Sequence, residues 1–149
     1  MAVAVATGWT VDDMAMADLP YAPPYSQAID HAIATAHILQ NKMRGLMTGI
    51  SAVEAKALFD AGGPLYVLDV RGPEEFKEMR LGRGENLIPL GQLRKRVSEL
   101  PEDRNATILS FCKVSMRGYE AQRILEKEGY TDVRVMEGGL MAWPYAKER

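Results

Sequence analysis

The chain has 149 residues, with 18 Lys and Arg against 20 Asp and Glu, and a formal net charge of −2. That length suits one domain with an appendage. The near-neutral charge gives no electrostatic basis for nucleic-acid binding, and no apolar run is long enough for a membrane span. One cysteine and two histidines exclude an internal disulfide and leave too few ligands for structural zinc; no metal or cofactor is expected.

Met1-Ala-Val-Ala-Val-Ala6 is apolar but short and lacks a basic leader. It reads as the start of a strand or helix rather than a secretion signal, and the expected address is the cytoplasm. Thr10-Val-Asp-Asp13 has capping-box spacing and opens a short helix. Leu19 to Tyr25 holds three prolines, so it is extended or turning. Ser26 to Arg44 is Ala-rich, with Ile29, Ile33 and Ala36 on one helical face and Gly45 as the stop. Residues 1–50 carry a net −2, whereas residues 51–149 are balanced, with 16 charges of each sign. This contrast, and both histidines lying in the first third, set a boundary between residues 1–45 and 46–149.

Ser51-Ala-Val-Glu54 is a second capping box, and its helix stops at Gly62-Gly63. Leu65 to Val70 is a continuous apolar run, as in a strand buried on both faces. Pro73-Glu-Glu-Phe76 starts a short helix with acids in its first turn. Asn86 to Leu90 is a short strand, and Leu93, Val97 and Leu100 define one face of the next helix. Thr107 to Phe111 is another buried strand. Ala121, Ile124 and Leu125 line a helix that closes at Gly129. Val133 to Met136 is the last strand, and Gly138-Gly139 leads to a short helix carrying Trp143. Alternation of this kind implies an α/β fold, a parallel sheet covered by helices.

Cys112 carries the chemistry. It directly follows a strand and precedes a helix, and open parallel sheets bind ligands beyond the carboxyl ends of their strands. In the loop Cys112-Lys-Val-Ser-Met-Arg117, successive backbone N–H groups can form an anion cradle, aided by the helix N-terminus and by Lys113 and Arg117. No carboxylate lies between Arg104 and Glu120 in sequence, so nothing nearby is expected to oppose an anion. Such surroundings lower a thiol from about 8.5 to roughly 3.5–7.5, which makes a nucleophile without a histidine base. A buried structural cysteine is the competing reading; the flanking cations and the loop position favour the reactive one.

Residues 50–147 resemble a rhodanese domain. The resemblance rests on Leu68-Asp-Val-Arg71, Glu75-Phe76, Ile88-Pro-Leu90, the loop Cys112-x-x-x-x-Arg117-Gly118, and Glu137-Gly-Gly-Leu-Met-Ala-Trp143. It implies a five-stranded parallel sheet with helices on both faces, and sulfane-sulfur transfer through a persulfide on Cys112. The amides of Lys113, Val114, Ser115, Met116 and Arg117 would hold the terminal sulfur. Asp69, Arg71 and Gly118 would support the loop, and Met116 would pack or line the pocket. Related phosphatases have a loop one residue longer, so six residues from Cys112 to Arg117 favour sulfur transfer over phosphate chemistry. The resemblance departs at Met79-Arg-Leu-Gly-Arg-Gly-Glu-Asn86, which lacks the family's histidine; Arg80 or Arg83 stands near its place.

Residues 8–45 resemble the end of the dimerisation domain of coenzyme A-disulfide reductases, through Gly8-Trp-Thr-Val-Asp-Asp13 and Asp18-Leu-Pro-Tyr-Ala-Pro-Pro-Tyr-Ser26. These are pyridine nucleotide-disulfide oxidoreductases, some of which end in a rhodanese domain and reduce persulfides with NADH. The resemblance implies two activities to weigh. One is a sulfurtransferase taking sulfur from thiosulfate, polysulfide or a small persulfide to a thiol or cyanide. The other is a sulfur-carrier module serving a flavin-dependent reductase partner. It also implies a homodimer through residues 8–45 and makes Tyr21 and Tyr25 candidates for a contact across that dimer.

Overall fold

The computed structural model describes residues 2–19, 24 and 29–149. The chain divides into two compact units, Met1–Leu46 and Met47–Arg149.

Three helices make up the first unit: α1 (Ala2–Ala6), α2 (Val11–Ala15) and α3 (His31–Met43). The capping box expected at Thr10 is present. Its hydroxyl accepts from Asp13 N–H, and the Asp13 carboxylate accepts from Thr10 N–H. Asp30 caps α3 by accepting from Ala32 N–H at 2.7 Å, so Ile29 lies ahead of the helix and is exposed. That differs from the expected face of Ile29, Ile33 and Ala36. A capping aspartate fixes the helix start whatever the apolar spacing before it. Gly45, at φ +68°, takes the left-handed conformation that ends the helix. Helices α2 and α3 are joined by a Gln40 amide donating to Asp12 at 2.6 Å. Tyr21, Tyr25 and Ser26 lie outside the described residues.

A five-stranded, all-parallel sheet organises the second unit. Its strands are β1 (Gly49–Ile50), β2 (Tyr66–Asp69), β3 (Asn86–Leu87), β4 (Ile108–Phe111) and β5 (Val133–Met136), in the order β1-β5-β4-β2-β3. The connecting helices are α4 (Ala52–Ala61), α5 (Pro73–Glu78), α6 (Leu90–Leu93), α7 (Met116–Lys127) and α8 (Gly139–Ala142). Period-two alternation splits each central strand between two cores. Leu68, Ile108 and Cys112 join Leu93, Ala121 and Leu125 on the α6–α7 face. Val67, Leu109 and Phe111 join Ala55, Leu140 and Trp143 on the other. Helices therefore cover both faces.

Two element boundaries differ from expectation. Leu90 opens α6 instead of closing β3, because Pro89 sets its N-terminus. Leu93, Val97 and Leu100 do face one core, but across a four-residue helix and a separate 3-10 turn, Val97–Glu99. A short helix followed by a 3-10 turn thus carries the same facing as one continuous helix would.

The chain leaves β2 toward β3 on one side and leaves β4 toward β5 on the other. Neighbouring strands whose connections diverge open a crevice beyond their carboxyl ends. Asp69 and Phe111 are paired in register at that point, and Cys112 follows Phe111 into it.

Candidate active site

Cys112 is fully buried at the floor of its loop. The loop is shaped by the turn before α8. Leu140 N–H donates to Cys112 O at 2.9 Å, and Met141 N–H donates to Lys113 O at 3.0 Å. These bonds turn the first two loop carbonyls toward α8. Gly139, at φ +54°, makes the approach possible: a Cβ there would stand 2.4 Å from Cys112 O and 2.8 Å from Lys113 O. Ser115 braces the far side, its hydroxyl accepting from Gly138 N–H at 2.8 Å.

The amide N–H groups of residues 113–118 donate to no acceptor among the described residues. Residues 116–118 open α7, so three of these amides are the unsatisfied donors of a helix start. Gly118 lets α7 ride close on the sheet, since a Cβ would meet Phe111 Cα at 3.4 Å. Its carbonyl accepts from the buried Ser110 hydroxyl at 3.0 Å. Lys113 is exposed and has no ion pair among the described residues. Val114 and Met116 are more than half exposed, so Met116 does not pack in the core.

Arg117 bonds Glu75 in a two-point pair, Nη1 to Oε2 at 2.7 Å and Nη2 to Oε1 at 2.8 Å. The pairing holds the Glu75 carboxyl down at about 2 despite the desolvation that opposes it. It also raises the guanidinium above its ordinary value, as do, more weakly, the charge of Cys112 and a hydrogen bond to it. Sequence proximity found no carboxylate near the loop; the fold supplies one from 42 residues away. In the sequence Glu75 stands out as a first-turn acid of α5 and as part of the Glu75-Phe76 motif, but not as a partner of Arg117; it also accepts from Gly72 N–H at 3.0 Å.

Asp69 and Arg71 form a buried strut beside the loop. Arg71 Nη2 reaches Asp69 Oδ2 at 2.6 Å, with both groups almost wholly buried. The remaining donors close on Glu75 O at 3.1 Å and Met79 O at 2.8 Å. This fixes the turn that leads into α5 and so places Glu75. Arg80 pairs with Glu148 at 3.0 Å, and Arg83 lies over the Phe59 and Trp143 rings. No group of His, Cys, Asp and Glu among the described residues has a metal-holding arrangement. None of the described helices is long and apolar enough to cross a membrane.

Relatives share this architecture. A putative sulfurtransferase of Bacillus subtilis, YtwF, is 31% identical over 94 residues, which cover 63% of this chain and 87% of that protein. The crystal structure of reduced CoADR-RHD from Bacillus anthracis matches at 35% identity and a TM-score of 0.85. The NAD-dependent persulfide reductase from A. fulgidus matches at 38% and 0.80. Each of these two likenesses covers 95% of this chain, and so reaches into the first unit, but 24% of the longer protein. The chain thus spans about a quarter of either protein's length. Residues 51–146 match the family model described as the rhodanese-like domain, and the chain belongs to that family.

Proposed function

We propose that the protein is a sulfurtransferase that carries sulfane sulfur on Cys112. The observation that bears most weight is the run of amides from residue 113 to 118, in the loop that follows the thiol, with no acceptor among the described residues. Donors turned into a small loop at a helix start stabilise an anionic sulfur without protein counter-groups. The Cys112 thiolate attacks the outer sulfur of thiosulfate; a new S–S bond forms, the old one breaks, and sulfite leaves with the electron pair. An acceptor thiolate or cyanide then attacks the terminal sulfur of the Cys112 persulfide. The sulfur departs with the acceptor, and the cysteine returns to thiolate. Burial of Cys112 restricts donors and acceptors to a single protruding sulfur or carbon atom. Arg117 steadies the loop through Glu75, while Lys113 offers an open charge to an anionic donor.

Mass spectrometry after incubation with thiosulfate tests the reading. A gain of one sulfur that is absent in Cys112→Ser is expected. No adduct with thiosulfate, polysulfide or an organic persulfide would overturn it.

A second reading is favoured by the likeness to two reductases over 95% of the chain. Here Cys112 passes sulfur to a flavin-dependent reductase partner and turns over slowly alone. Adding such a reductase should then raise turnover well above that of the isolated chain; fast turnover with small thiols alone contradicts it. We also propose a homodimer through residues 8–45, supported by the large apolar side chains this unit exposes, Trp9, Ile29 and Leu39. The first unit carries an apolar cavity of about 170 Å³ lined by Val5, Trp9, Met14 and Leu39. Light scattering on the full chain should give twice the monomer mass, and a monomer at high concentration would refute the dimer. The cytoplasm remains the proposed location.

A further inference from the structure

A second cavity, of about 390 Å³, lies between α6 and α7 and is separate from the cysteine loop. Its volume is in the range of small-molecule sites. Leu90, Gly91 and Ile124 give it an apolar lining, and Arg94, Arg123 and Lys127 give it cationic walls. Glu120 is the one carboxylate among the lining residues. Arg123 is engaged by Glu126. Arg94 and Lys127, one on each side of the cleft, are exposed and have no ion pair among the described residues. An apolar trough between two open cations matches a ligand with an apolar body and an anionic end.

The placement of the cleft relates it to Cys112. Both lie on the same face of the sheet, where Leu90 packs against the core that includes Cys112, Leu93 and Ile124. Leu90 N–H donates to Val70 O at 3.2 Å, and Val70 N–H donates to Phe111 O at 3.0 Å. Two strand spacings, about 10 Å, therefore separate the start of the cleft from the end of β4. Lys127 ends α7 and lies about 16 Å along the helix axis from its first residue, Met116. A ligand that places one end at the cysteine loop and the other among these cations must be extended over roughly 10 Å or more.

We propose that this cleft is the acceptor subsite: it holds the anionic tail, carboxylate or phosphate, of an extended thiol whose sulfur reaches Cys112. The assignment rests on the sulfur-transfer reading and deepens it by naming the acceptor class and the residues that select it. Arg94 and Lys127 are specificity residues that act on the tail; neither takes part in loading the persulfide. The transfer step is unchanged. The acceptor sulfur bonds to the terminal sulfur, the bond to Cys112 Sγ breaks, and the cysteine leaves as thiolate.

The test uses the full chain, loaded with thiosulfate, and ω-mercaptoalkanoates of increasing length, each paired with the ω-mercaptoalcohol of equal length. An ω-mercaptoalkyl phosphate separates the two anion types. Wild type should favour the acid over the alcohol only in the longer members. The double variant Arg94→Gln/Lys127→Gln should raise KM for the long acid about tenfold, as expected for two partly exposed charges. It should leave kcat, the long alcohol and persulfide loading unchanged. The preference should fade near 1 M salt, where screening extends over about 3 Å. An equal change for acid and alcohol, no change for either, or an acid preference strongest in the shortest thiols would overturn the proposal. Failure of wild type to form any persulfide would sink the sulfur-transfer reading instead. The cleft is then read by calorimetry with an S-methylated long acid. Binding that disappears in the double variant upholds the anion-tail site, and no binding to wild type refutes it.

Discussion

Two arginines stand at the carboxyl ends of neighbouring parallel strands and differ in how their surroundings treat them. Arg71 is almost wholly buried against Asp69, and its remaining donors are taken by the carbonyls of Glu75 and Met79. Arg117 is about one-third exposed, shared between Glu75 and the side of Cys112, next to a loop whose amides are unclaimed. The first region gives every nitrogen of its guanidinium an acceptor within the protein; the second leaves donors open for a guest. Saturation makes scaffold, and unsatisfied donors held in place make a site. Glu75 couples the two, giving its backbone carbonyl to one arginine and its carboxylate to the other.

The largest expected effect comes from breaking the closed region. Arg71→Leu strands the buried charge of Asp69 and should cost about 3–5 kcal/mol in urea unfolding. The double variant Asp69→Leu/Arg71→Leu should recover much of that loss. A cost below about 1 kcal/mol for the single variant would remove the distinction between strut and site.

Next is the turn that shapes the loop. Gly139→Ala places a methyl 2.4 Å from Cys112 O, so either the turn or the loop must move. Sulfur transfer should fall about 100-fold, equivalent to roughly 2.7 kcal/mol in the barrier. Gly62→Ala is the control: its φ is +65°, but nothing lies within 4 Å of the added methyl. It should lose about 1 kcal/mol of stability through backbone strain and no activity per folded molecule. Equal activity losses in the two variants would mean that strain alone, and not the loop contact, accounts for the Gly139 effect.

Much of this was written locally. The boxes at Thr10–Asp13 and Ser51–Glu54, the stop at Gly62 and the apolar runs of β2 and β4 are short-range signals, and each element formed where its signal stood. The position of Cys112 followed from the same reasoning, because strand-then-helix order fixes which end of the sheet the loop occupies. Long-range closure was not legible. Strand β1 has only two residues and exists by pairing with β5, so no periodicity could announce it. Likewise, the distance from Glu75 to Arg117 depends on β2 and β4 lying side by side. Leu93, Val97 and Leu100 show the converse: apolar spacing reported facing correctly but not the hydrogen-bond pattern beneath it.

The bridge between the two regions should have a smaller, pH-dependent effect. Glu75 is held at about 2 against an ordinary 4.5, chiefly by its hydrogen bonds to Arg117. A lowered folded-state value means the pair's contribution is complete above pH about 4.5 and vanishes as pH falls through about 2. Glu75→Gln should therefore cost about 1 kcal/mol near neutral pH, after allowance for solvent screening of a partly exposed pair. Its stability curve should converge with that of wild type toward pH 2. Convergence on the alkaline side instead would show that the effect does not come from this carboxylate.

The smallest effect separates open from shared charge within the site itself. Lys113 follows Cys112, is exposed and has no ion pair among the described residues, while its carbonyl is fixed by Met141 N–H at 3.0 Å. The backbone of Lys113 is thus part of the built loop, but its ammonium is free to meet an incoming anion. Lys113→Ala removes only the latter. KM for thiosulfate should rise about three- to fivefold, in line with one exposed ion pair, and kcat should stay within experimental scatter of wild type. A sulfane-sulfur donor without charge should load Cys112 equally well in both proteins, and Lys113→Arg should retain most of the thiosulfate advantage. Rising salt should narrow the gap between wild type and Lys113→Ala. Equal losses for charged and uncharged donors would mean that the lysine acts by shaping the loop, and would move it from the open region to the closed one.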